Sequence, residues 1–220
     1  MKVLKEDFYG RRTLTVAKDL LGKYLVHEVD GNLIGGKIVE TEGYLGVKDK
    51  AAHVYGGKKT ERVKPLYGKE GTAYIYQIYG MYYCLNAITE REGEPQGVLI
   101  RALEPLYGLN FISNRRFGKD YNDLKKREIL NLTSGPSKLC KALDIDKSLN
   151  NRMLWDNEIY ILDRDVELLN IFEIEEDKTG TIVESKRIGI DYAEEAKDFL
   201  YRFYYSDNPY VSKKDKSVIK

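Results

Sequence analysis

A chain of 220 residues has room for one large domain or two small ones, and either size can bury a full core. Charged residues make up 32% and the mean hydropathy is −0.49, and no apolar run approaches the roughly 18–20 residues of a bilayer-crossing helix, which argues against membrane spans. The formal net charge is only +1, which by itself argues against a polyanionic partner.

That neutrality is zoned. Residues 48–69 carry seven Lys and Arg against Asp49 and Glu61, and residues 115–152 carry ten against five acids. Residues 153–179 reverse the balance, with nine acids against Arg164 and Lys178. A near-neutral protein can still turn a basic face to a phosphate backbone, although charge alone does not separate such zones from ordinary solvated surface. Two cysteines, Cys84 and Cys140, sit among apolar residues, offer neither a disulfide framework nor metal-ligand spacing, and read as buried fillers. The start, Met1 to Asp7, lacks the apolar segment of a secretion signal, so a cytoplasmic protein is expected.

In chain order, Thr13 is placed to cap a first helix whose Leu14, Ala17 and Leu21 share a face, with Gly22 as its C-terminal glycine. Residues 24–29 read as a strand, Asp30-Gly31 as a type I′ hairpin turn, and residues 33–44 as the return strand, with a bulge at Gly35-Gly36. Residues 45–71 form a long, basic, glycine-containing loop of the kind that is functional or mobile. Strands are predicted at 72–78, 82–89 and 97–104, and helices at 106–116, 121–130 and 137–143. The last third adds strands near 159–163, 181–190 and 200–205, with a helix around 193–199. No regular βαβ spacing, repeat or linker interrupts this order. An α+β fold is predicted, a single compact domain over 1–220 (core about 6–212) built on a curved, partly open barrel-like antiparallel sheet with surrounding helices.

The chemistry-bearing residues cluster in two stretches. Val39-Glu40-Thr41-Glu42-Gly43-Tyr44 precedes His53 by nine residues, and a tyrosine-dense run follows from Tyr74 to Tyr83. Tyrosine is the excess residue, 18 copies against six Phe and one Trp, and it offers a stacking face, a hydroxyl and few rotatable bonds. A carboxylate beside several such rings suits a site that grips a flat ring and activates water against it, as chemistry on a nucleobase requires. Strand alternation puts Glu40, Glu42 and Tyr44 on one face and Tyr74 and Tyr76 on another. By alternation alone, the two glutamates better suit a solvent face, the tyrosines cross-strand packing, and His53 a structural loop histidine.

Six ordered blocks carry a stronger signal: Ile38 to Tyr44, Ala51 to His53, Tyr74 to Asn86, Arg101 within Val98 to Pro105, Gly135 to Cys140, and Arg202-Phe203-Tyr204. Together they closely resemble the 3-methyladenine (alkyladenine) DNA glycosylase family over about residues 6–212. The resemblance implies base excision by a monofunctional glycosylase, a hydrolase acting on N-glycosyl bonds. It also implies damaged double-stranded DNA as the partner, no metal and no organic cofactor, and a monomer free of membrane. By the same resemblance Glu42 activates water, Arg101 orients both, and the Ile188 carbonyl is a third water contact. Tyr44, His53 and Tyr76 would wall the pocket for an alkylated or deaminated purine, with Asn86 rejecting normal guanine. Tyr79 would fill the gap in the duplex and Met81 would intercalate beside it. Glu40 receives no counterpart.

Three departures stand out. Gly43 replaces the commoner alanine and loosens the backbone beside the base, which leaves the pocket width open. Val54 stands where serine is usual, and Leu66-Tyr67 where Met-Phe is frequent. The N-terminal extension of mammalian-type members is absent, which suggests a near-minimal core. Two other classes remain open at this point: a non-catalytic nucleic-acid-binding module of related fold, and a carbohydrate hydrolase, for which Glu40 is poorly placed as a second carboxylate.

Overall fold

The computed structural model describes residues 2–163 and 180–215. Its eight strands are β1 (Tyr24–Val29), β2 (Asn32–Tyr44), β3 (Ala73–Ile78), β4 (Tyr82–Thr89), β5 (Gln96–Tyr107), β6 (Ile159–Leu162), β7 (Ile182–Ser185) and β8 (Arg202–Tyr205). They form one antiparallel sheet in the order β3-β4-β5-β2-β1-β6, with β8 joining β2 to β7. The sheet curls into a half-barrel with a few helices packed on it, which is the α+β architecture expected.

The long strand β2 organises this curl. It pairs with β5 along its length, with β1 through its first half and with β8 through Glu40 to Glu42. Register shifts at Gly35/Gly36 and around Glu40 bend it, because each extra residue in a ladder increases local twist. The two glycines are required by close packing: a Cβ on Gly35 would lie 2.2 Å from the Leu25 carbonyl oxygen, and one on Gly36 2.1 Å from that of Glu104. At the β1–β2 turn Asp30 and Gly31 both take positive φ, as a type I′ turn demands.

Helices α1 (Glu6–Tyr9), α2 (Thr13–Asp19), α3 (Leu109–Phe117), α4 (Lys126–Leu130) and α5 (Pro136–Ala142) supply the remaining layer. α2 packs on β2 and β5, and α5 packs on β4 and β5, so that Val16, Ala17, Leu139 and Leu143 meet Ile38, Val39, Ile100 and Leu103 in the main core. At roughly 25 cal/mol per Å² of apolar area, this shared core holds the sheet against the helices.

Several expectations need correction. Thr13 begins α2 as a helical residue and does not cap it; its hydroxyl instead meets Thr89 Oγ1 (2.9 Å) and Gln96 Oε1 (2.8 Å). Residues 106–107 belong to β5, because Tyr107 pairs with Gly35 and is buried; the chain turns at left-handed Gly108 before α3. The segment 121–130 is split into a 3-10 turn and α4, since Glu128 reaches back to the Lys125 N–H (2.8 Å) and starts the helix afresh. Residues 194–198 wind as a 3-10 helix, and β7 stops at Ser185, four residues after its predicted start. The short helix α1 had no signal strong enough to be predicted. Residues 164–179, most of the acidic zone, lie outside the described residues.

Candidate active site

Register assembles the site. Across β3, β4, β5 and β2 the partners Tyr74, Asn86, Leu99 and Glu42 form one transverse row, so these distant residues share a face of the sheet. Above this row lies a cavity of about 540 Å³, within the size range of small-ligand pockets. Tyr44, His53, Tyr74, Tyr76, Asn86, Arg101 and Ile188 line it. Every expected pocket residue is therefore brought together.

Glu42 lies just behind that lining and is fully buried. Its Oε1 accepts the Ile188 N–H at 2.8 Å, and its Oε2 accepts the Tyr44 hydroxyl at 2.9 Å with Arg101 Nη1 at 3.2 Å. Burial, then the neighbouring carboxylate, raises the Tyr44 pKa well above its ordinary value, so the phenol keeps its proton to donate. Burial works against the charge of Arg101, but Glu42 and Glu40 outweigh it and hold the arginine pKa above its usual value. Neither glutamate faces solvent, contrary to what alternation alone allowed. Both converge on the Arg101 guanidinium, which supplies part of their counter-charge.

The aromatic walls are fixed by a relay. Tyr74 Oη and His53 Nδ1 share a hydrogen bond of 2.9 Å, which either tautomer of the neutral imidazole can make, and Arg62 lies beside the phenol. Burial, then Arg62 and Lys58, lowers the His53 pKa to about 4, so this neutral form dominates near pH 7. Tyr76 stands edge-on to His53, with centroids 4.5 Å apart, and Arg62 lies over its ring. Asn86 is held by donation to the Tyr74 carbonyl (3.1 Å).

The β3–β4 turn projects beside the cavity. Tyr79 is 88% exposed and Met81 65%, an unusual degree for large apolar side chains. Tyr79 and Gly80 both take positive φ, and nothing stands within 4 Å of a Cβ built on Gly80. The tip is therefore a narrow wedge with room for another backbone to approach.

Gly43 is not a pocket-widening residue. A Cβ there would point at Leu14 of α2, 2.7 Å from its Cδ2, so the missing methyl is a concession to helix packing. Val54 and Leu66 are buried together with Tyr74 and Ile88, and both reach the cavity wall.

A clamp behind the site was not read from the sequence. Arg187 binds Asp49 through two bonds (2.6 and 2.9 Å), donates to the Gly43 and Ala196 carbonyls, and lies between the rings of Tyr44 and Tyr201. It lies two residues past the end of β7 and directly before Ile188, whose N–H reaches Glu42. An arginine directly before the apolar Ile188-Gly189-Ile190 was the available signal, but its partner lies 138 residues away.

The model of the methylpurine-DNA glycosylase family matches residues 7–209, and the chain belongs to that family. Among similar proteins, one from Clostridium tetani is 57% identical, covering 96% of this chain and 99% of its own length. Another from Desulfitobacterium hafniense is 51% identical, covering 97% and 100%, and one from Clostridium acetobutylicum is 52% identical, covering 98% and 100%. All three carry the name "Putative 3-methyladenine DNA glycosylase". Among the described residues no helix is long and apolar enough to cross a membrane.

Proposed function

We propose that this chain is a 3-methyladenine-type DNA glycosylase that flips an alkylated or deaminated purine from damaged duplex DNA and hydrolyses its N-glycosidic bond. Flipping exposes an atom otherwise hidden in the stack, at roughly a few kcal/mol. Tyr79, with Met81 beside it, fills the gap left in the duplex. The base enters between Tyr44, His53 and Tyr76, whose rings favour a purine made cationic by alkylation. Asn86 crowds the 2-amino group of normal guanine. Lys58 and Arg62, for which no carboxylate partner lies within ion-pair distance among the described residues, suit phosphate contacts along the same edge.

In the reaction the C1′–N bond breaks with its electron pair leaving on the purine, which departs neutral when alkylated to a cation and takes a proton from solvent when it is hypoxanthine; the sugar gains oxocarbenium character, water adds at C1′, and its proton passes to Glu42. Arg101 orients that carboxylate. The Ile188 N–H is already committed to Glu42, so its carbonyl is the group that remains for the water. The observation that carries this reading is the buried Glu42 held by three donors at the base of an aromatic cavity.

The test is release of hypoxanthine from a duplex oligonucleotide, followed by alkali to nick the abasic product. Nicking only after alkali, with no protein–DNA adduct on borohydride treatment, supports a monofunctional glycosylase. Absence of base release from hypoxanthine, 3-methyladenine and 7-methylguanine duplexes alike would leave a DNA-binding module as the reading.

A further inference from the structure

Glu40 has no part in the steps above, yet it is bound more heavily than Glu42. Fully buried at the β2 bulge, its Oε1 accepts from Arg101 Nε (3.2 Å), Arg202 Nη1 (2.8 Å) and Ser212 Oγ (3.0 Å), and its Oε2 accepts the Ser212 N–H (2.7 Å). Because Arg101 turns its Nη1 to Glu42, the four groups alternate as Glu42, Arg101, Glu40 and Arg202. Their formal charges sum to zero.

That balance matters for the chemistry. A glycosylase transition state is positive at the sugar, and a purine alkylated on a ring nitrogen is positive before it reacts. An arginine lining the cavity opposes both unless a second carboxylate offsets it. Glu42 cannot do so alone, since its own negative charge is needed toward the sugar. Resting on the proposed glycosylase activity, we infer that Glu40 is a positioning residue that holds the Arg101 guanidinium between the two carboxylates and offsets its charge toward the cavity, with Arg202, which does not line the cavity, as its own counter-charge, so that the cavity accepts cationic purines.

The competing role is a plain anchor for residues 212–215, which Ser212 would also suggest. The two roles separate through lesion charge. Duplexes carrying 7-methylguanine, a cation, and hypoxanthine, a neutral base, are compared by single-turnover rate and by affinity. Glu40→Gln keeps the volume and an acceptor oxygen but removes the charge. The expected loss on 7-methylguanine is on the order of 10–100-fold, by analogy with groups that orient the ligands of a metal, with a clearly smaller loss on hypoxanthine. Arg202→Gln removes a positive charge while Glu40 stays, and the lesion ratio should move the other way. The double variant restores neutrality and should return the ratio toward wild type. Melting curves establish folding, and if Glu40→Gln does not fold, Arg202→Gln carries the test with opposite sign. Equal losses on both lesions, or a lowered melting temperature with an unchanged ratio, would overturn the inference and leave Glu40 an anchor. A wild-type protein that releases neither base would overturn the glycosylase reading instead.

Discussion

The β2–β5 wall and the β3–β4 tip face the same cavity but are built on opposite terms. In the wall, Glu42, Glu40 and Arg101 are buried, and each carboxylate oxygen has a donor within about 3.2 Å. At the tip, Tyr79 and Met81 stand in solvent, and the turn is braced by one side-chain bond, Gln77 Nε2 to the Gly80 carbonyl (2.7 Å). A group that must meet a reacting atom within tenths of an ångström benefits from many restraints, because misplacement costs rate steeply. A group that enters a deformable duplex needs reach and an exposed face. On the proposed function, the difference suits the wall to chemistry and the tip to DNA engagement.

The strongest way to break this contrast is Glu42→Gln. Excision should fall by ~10²–10⁴-fold while lesion-duplex affinity stays close to wild type. Single-turnover rates and binding isotherms on one duplex decide it, and retention of more than about a tenth of the rate would point to another base.

Asp49→Ala tests whether the wall depends on the clamp behind it. The Arg187 and Asp49 side chains are 0% and 2% exposed, and orphaning one partner of such a pair costs about 3–5 kcal/mol. For a chain of this length, that corresponds to a melting-temperature drop of the order of 10 °C. Tyr44 and Ile188 should loosen together, lowering the rate even where the protein is folded. A loss of under about 2 °C would mean that the clamp contributes little.

Tyr79→Ala addresses the tip alone. It should weaken lesion binding by ~1–3 kcal/mol, the usual value of a stacked aromatic, while leaving the melting temperature unchanged. A fluorescent base analogue beside the lesion reports the flipped fraction; an unaltered fraction would reduce Tyr79 to a surface residue.

The smallest effect concerns pH. His53 titrates near 4 in the folded chain against an ordinary value of 6.5, so between these limits the unfolded chain binds the extra proton. Stability therefore rises with pH across that window, is complete above about 6.5, and is lost as pH falls toward 4. His53→Gln should flatten this slope in urea unfolding between pH 7 and pH 5. Part of the slope will persist, because burial also lowers the pKa of His27. An unchanged slope would show that His53 is free to protonate in the fold.

Local rules in the sequence determined much of this molecule. Strand β1, the Asp30-Gly31 turn, the glycine bulge and the tyrosine-bearing strands follow from periodicity and turn chemistry, which act over a few residues. The ordered blocks also pointed to the residues that line the cavity, as the family match bears out for the family itself. Only the tertiary structure decided what holds them. The Asp49–Arg187 clamp, the alternation of Glu42, Arg101, Glu40 and Arg202, and the contact that explains Gly43 each join segments far apart in the chain. A buried charge is tolerated only where the fold delivers its counter-charge, and strand alternation carries no information about which distant segment that will be.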